Sequence, residues 1–91
     1  MKYEIVPSNQ FKKDLKLAQK RGYDLDKIKK VITALANGEP LEARYRDHLL
    51  TGDYGGYSEC HIQPDWLLVY QIDGDQLILF LARTGTHSDL F

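Results

Sequence analysis

Apolar residues change their spacing once along this chain, and the change divides it in two. Up to Asn37 they recur every three or four residues, as on one face of a helix; from Gly56 to Arg83 they alternate or run together, as in strands. Phe11, Leu15 and Ala18 form one stripe. Leu25, Ile28, Ile32 and Leu35, with Val31 beside them, form a second. Ser8 is a good N-cap and Gly22 a good stop, so a helix is predicted from Ser8 to about Arg21. A second is predicted from Asp24 or Asp26 to Asn37, with Gly38 past its end. So short a link makes the pair an antiparallel hairpin. Before them, residues 2–6 (KYEIV) read as a strand ended by Pro7. After them come Gly56–Ile62, Asp65–Ile72 and Gln76–Arg83, the last two joined by Asp73-Gly74, a strong hairpin signal. Residues 38–55 read as a long irregular connection, a length that is often functional. The predicted order is β-α-α-β-β-β, an α+β fold in which a helical hairpin packs on one face of a small, mostly antiparallel sheet. At this length, residues 1–91 are expected to form one domain.

The formal net charge of −1 averages two unlike halves. Residues 1–46 carry 11 Lys/Arg and 6 Asp/Glu, a balance of +5; residues 47–91 carry one Arg and 7 Asp/Glu, a balance of −6. Lys12, Lys13, Lys16 and Lys20 fall largely off the first apolar stripe, and Lys27, Lys29 and Lys30 off the second. A basic helical surface points to a polyanionic partner. A single cysteine, Cys60, excludes an intramolecular disulfide and a multi-cysteine zinc site. No apolar run approaches the roughly 18–20 residues needed to cross a bilayer, and the first ten residues lack a stretch of signal-peptide type. A cytoplasmic chain with no membrane partner is expected.

All three histidines lie in the acidic half. Alternation along residues 56–62 puts Tyr57, Glu59 and His61 on one sheet face and Ser58, Cys60 and Ile62 on the other, toward the helices. His48 enters the sheet and His87 follows it, so three imidazoles can converge on one face. An unperturbed imidazole titrates near pH 6.5 and can give or take a proton at neutral pH. Asp65, just past the Gln63-Pro64 turn, is placed to orient His61, although a turn-capping role explains it equally on local grounds. The histidine spacing matches no compact zinc motif, and neither a metal nor another cofactor is expected. Cys60 is expected to face the core. Arg83, the only Lys or Arg in residues 47–91, suits a phosphate or a salt bridge to a nearby acid. Phe91 suits either a stacking surface or a plug for the tail.

The segments LAQKR (17–21), YRDHLLTG (45–52), GYSECHIQPDWLLVY (56–70) and RTGTHSDLF (83–91), in this element order, resemble the RelE/ParE superfamily of bacterial type II toxins, and within it the YafQ branch. The resemblance spans essentially the whole chain. It implies an mRNA interferase that cuts translated mRNA in the ribosome without a cofactor, and a small antitoxin that blocks it. It implies acid–base roles for His48, His61, Asp65 and His87; from the chemistry of RNA cleavage His87 is expected to be the acid, with the base left open among the other three. Glu59 stands where a close relative has Asp. Arg83 and Phe91 match positions associated with phosphate and substrate contact. Lys12, Lys13, Lys16, Lys20, Lys27 and Lys30 become an expected docking surface for ribosomal RNA. The alternatives are a ParE-like toxin without nuclease activity, a non-catalytic RNA- or ribosome-binding domain, and an inactive toxin relic.

Overall fold

The computed structural model describes residues 1–91. Its elements are β1 (Glu4–Pro7), α1 (Asn9–Lys20), α2 (Leu25–Ala36), β2 (His48–Leu49), β3 (Ser58–Gln63), β4 (Trp66–Asp73), β5 (Ile78–Gly85) and α3 (His87–Leu90), with single turns of 3₁₀ helix at Ala43–Tyr45 and Gly52–Tyr54. The five strands form one sheet in the order β1-β5-β4-β3-β2. β1 pairs parallel to β5, because the helical hairpin carries the chain across the sheet between them; the other pairs are antiparallel.

The helix signals act as expected. The Ser8 hydroxyl accepts the Phe11 amide at 2.9 Å, and the Asp24 carboxylate accepts the Asp26 amide at 3.0 Å. Gly22 (φ +83°) and Gly38 (φ +75°) take the left-handed conformation that ends each helix. The buried seam of α2 is Ile28, Val31, Leu35 and Ala36. Leu25 and Ile32 are only half-buried, so the helix is turned slightly from its predicted stripe. Against the helices lie Cys60, Ile62, Trp66, Leu68, Tyr70, Leu79 and Leu81.

Four local features differ from expectation. Two residues of the supposed irregular connection, His48 and Leu49, pair with Glu59 and Ser58 and add a fifth strand. Pro7 does not stand beyond the end of β1 but is its last residue, opposite Leu81; at a sheet edge its missing N–H costs nothing, and the Ser8 amide resumes the bonding at 2.9 Å to Leu81 O. The Asp73-Gly74 turn is wider than two residues. The Asp73 carboxylate accepts the Asp75 and Gln76 amides at 3.0 and 3.1 Å, Leu77 is left-handed (φ +56°), and β5 begins only at Ile78. The tail forms α3, started by a reciprocal capping box between Thr86 and Asp89.

The sheet face away from the hairpin is not simply polar. Leu67, Val69 and Leu90 form a second buried cluster there, flanked by Leu50, Tyr54, Tyr57 and Ala82. β4 is therefore covered on both faces, which explains its unbroken run WLLVY.

Candidate active site

The histidines gather on this second face. Cys60 and Ile62 point into the core, so alternation turns Glu59 and His61 outward from the helices, as the sequence predicts. β2 is what adds His48, directly opposite Glu59 in the ladder. Glu59 is only 6 % exposed. Its two oxygens lie 3.4 Å from His48 Nε2 and 3.9 Å from His61 Nε2. The other ring nitrogens face carbonyls: His48 Nδ1 is 2.7 Å from Arg46 O, and His61 Nδ1 is 3.3 Å from Pro64 O. A carbonyl only accepts, so the proton in each contact sits on Nδ1 and Nε2 is the nitrogen free to exchange one.

Asp65 is not the partner of His61. Its Oδ1 accepts both the His87 backbone amide at 3.0 Å and His87 Nδ1–H at 2.7 Å. The two donors hold the Asp65 carboxyl below the usual carboxylate range, the backbone N–H first. The ring is thereby pinned at the first residue of α3 with Nε2 unoccupied. His61 lies between the other two imidazoles, its ring centroid 6.4 Å from that of His48 and 5.7 Å from that of His87. One ligand atom from each of Glu59, His61 and His87 lies within 4.8 Å of the others, a grouping able to hold a metal ion although no compact motif marks it.

Arg83 finds its acid in the basic half of the chain, not among the acids near it in sequence. Its Nε and Nη2 donate to Asp14 of α1 at 2.8 and 3.3 Å. β1 pairs with β5 only as far as Leu81, so α1 lies along the uncovered β5 edge and Asp14 also accepts the Thr84 amide at 3.2 Å. Asp14, set on the apolar stripe between Phe11 and Ala18, was a visible sign that a buried carboxylate needed a cation. Phe91 is not a plug: it is 60 % exposed, edge-on to Tyr54 at 5.4 Å. Leu90 fills the plugging role. Lys12, Lys13, Lys16, Lys20, Lys27 and Lys30 are all exposed. Cys60 is buried, and burial pushes its thiol well above the ordinary range, so it is inert as a nucleophile.

Residues that the sequence did not single out support the cluster. The Tyr70 hydroxyl donates to Asp47, tying down the loop just before His48. Arg21, the residue that caps the end of α1, grips Asp89 of α3 with two guanidinium nitrogens, at 2.6 and 3.2 Å. A four-residue helix cannot hold itself, so this pair and the capping box fix the mount of His87. Asp89→Ala should therefore release the His87 ring, read as motional averaging of its imidazole NMR signals; a ring still held in one position would show that α3 needs no such mount. Arg21 holds the Asp89 carboxyl far below the usual range. A depressed carboxylate adds stability above its unfolded value and loses it as pH falls through the folded one. The stability difference between wild type and Asp89→Asn should stay level from about pH 8 to 5 and shrink below about pH 4, near the unfolded value. Denaturant unfolding across that range tests it, and a difference still level at about pH 2 contradicts it.

A helical hairpin on a mixed sheet, with a His–carboxylate cluster on the opposite face, is the architecture of a bacterial toxin of the type II toxin–antitoxin class. A family model described as "Bacterial toxin of type II toxin-antitoxin system, YafQ" matches residues 3–91, and the chain belongs to that family. It is 48 % identical over 89 residues to the mRNA interferase toxin YafQ of Escherichia coli K12, covering 97 % of this chain and 95 % of the relative. It superposes on the toxin of the E. coli DinJ–YafQ toxin–antitoxin complex with a TM-score of 0.89 at 44 % identity, covering 100 % of this chain and 99 % of that one. A metal-bound toxin from Helicobacter pylori matches with a TM-score of 0.92 at 47 % identity, over 98 % and 99 % of the two chains. No helix is long and apolar enough to cross a membrane.

Proposed function

We propose that this toxin is an endoribonuclease that cuts translated mRNA by proton transfer between imidazoles and substrate, and that it works in the ribosome. The observation that carries the reading is the placement of His87: Asp65 holds its Nδ1–H, and its free Nε2 edge lies beside His61. RNA carries its own nucleophile. As the 2′-oxygen bonds to phosphorus, the bond to the 5′-oxygen breaks. A base takes the 2′-hydroxyl proton, and an acid protonates the departing 5′-oxygen. His87 is the acid. The base lies on the His61–His48 side, where Glu59 faces the exchanging nitrogen of both rings. Asp65 acts through His87 as a positioning residue, so it leaves the set of candidate bases. Arg83, anchored by Asp14, supplies positive charge toward the phosphate. Phe91 offers an exposed face to a base.

The products would be a 2′,3′-cyclic phosphate and a 5′-hydroxyl. Mapping RNA ends after induced expression tests this: codon-phased 5′-hydroxyl ends are expected, and 5′-phosphate ends would refute the mechanism. The antitoxin in the E. coli complex suggests a cognate antitoxin here, and the exposed lysines of α1 suit ribosomal RNA. The two imidazoles and one carboxylate of His61, His87 and Glu59 form a donor set that fits a transition-metal ion. Bound there, such an ion would supply Lewis-acid charge and would occupy the imidazole nitrogens that the acid–base reading uses.

A further inference from the structure

The His–carboxylate cluster opens on one side into a cleft of about 640 Å³, and the cleft shares His61 with it. That volume lies within the roughly 300–1,000 Å³ of small-ligand sites. Its walls are α2, the turn at residues 43–46 and the β3–β4 turn. Lys27 and Lys30, one helical turn apart, come from α2, and Arg44 and Arg46 from the facing turn. No carboxylate lines it. Glu42, which pairs with Arg44 Nε at 3.4 Å, stands outside on the exposed surface. Half-buried Tyr45 contributes a ring with the Arg44 guanidinium 4.7 Å from its centroid, and Gln63 adds an amide. Arg46 is left-handed (φ +50°), and its carbonyl is the one that holds His48 Nδ1. The cleft wall and the cluster are thus one piece of backbone.

We infer that this cleft binds the nucleotide next to the scissile phosphate in single-stranded RNA: Lys27, Lys30 and Arg44 hold backbone phosphates, and Tyr45 with Arg44 forms a stacking platform for the base. The inference rests on the nuclease reading for the word scissile, but not for the binding itself. An acidic peptide would also answer the charge. RNA fits better, because a base uses the aromatic–guanidinium platform and the strand continues directly to His61. The cleft also resolves an electrostatic difficulty: cations from the basic half are folded onto the rim of an acidic site that would otherwise repel its substrate.

The test is binding of a short, mixed-sequence single-stranded RNA made uncleavable by 2′-O-methyl groups, followed by fluorescence anisotropy over a salt series, with polyglutamate as the acidic-peptide probe. Lys27→Ala/Lys30→Ala should weaken RNA binding at least tenfold and flatten the salt slope by about 1.4, about 0.7 for each lost phosphate contact. Tyr45→Leu should weaken it about five- to hundredfold, the worth of one base–aromatic stack, with little change in slope. Lys29→Ala is the control: it sits on the same helix but does not line the cleft, facing an adjoining surface with Asp26, Thr33 and Glu39 that Lys30 also borders. The inference is overturned if the double variant binds like wild type, if Lys29→Ala loses as much, if wild type does not bind RNA, or if polyglutamate alone needs the cleft. The probe cannot be cut, so failure of the nuclease reading appears only in the end mapping and failure of this inference only in the binding.

Discussion

His87→Ala is expected to lower cleavage of a translated reporter by about 10²–10⁴-fold, the usual worth of one general acid, while leaving the folded state nearly unchanged. The His87 side chain is half exposed, and Asp65 is its one hydrogen-bond partner. Capping of α3 depends on Thr86 and Asp89, and its anchoring on Leu90. Asp65→Asn should cost less than His87→Ala, because the backbone amide of His87 still fixes the turn while only the ring loses its orienting charge. The pH profile separates the two roles: loss of the acid removes the limb on which activity falls with rising pH, whereas a misoriented acid retains it at a lower amplitude. Toxicity that survives His87→Ala with mRNA intact would instead support a ParE-like toxin.

Trp66→Ala is expected to be the most damaging single truncation for stability, at about 3–5 kcal/mol. Trp66 is 1 % exposed and packs against Tyr23 with ring centroids 4.9 Å apart. Its Nε1–H donates to Thr84 Oγ1 at 2.9 Å, and that hydroxyl donates on to Leu67 O at 2.6 Å. Truncation therefore opens a large cavity and strips one member from a buried relay that ties β4 to β5. A fall in melting temperature of more than about 10 °C follows for a domain of this size. Trp66→Phe should cost much less, since it keeps most of the volume and loses one neutral hydrogen bond, worth about 1 kcal/mol. Equal losses for the two variants would show that the relay, not the packing, holds this corner.

Much of the fold could be read from the sequence because helix and strand spacing are local. The Ser8 and Asp24 caps, the glycine stops, the antiparallel run from β3 to β5 and the opposed faces of Glu59/His61 and Cys60/Ile62 each depend on residues a few positions apart. β2 was not legible, since a two-residue strand has no period to detect and exists only because β3 offers an edge. α3 was missed although Thr86 and Asp89 carry the spacing of a capping box; four residues are too few for an apolar stripe.

The site divides along the same line. The residue types, the alternation on β3 and the split of charge between the halves belong to the sequence by itself. Which group serves which belongs to the tertiary structure: Asp65 goes to His87 across 22 residues, Arg83 to Asp14 across 69, and Arg21 to Asp89 across 68. Only the fold lays the turn carrying Arg44 and Arg46 against β3, so that a basic segment borders an acidic site. The physical reason is range. Backbone geometry sets which way a side chain points within one element, but ion pairs and clefts form between elements, and their partners are chosen by how the sheet and helices pack.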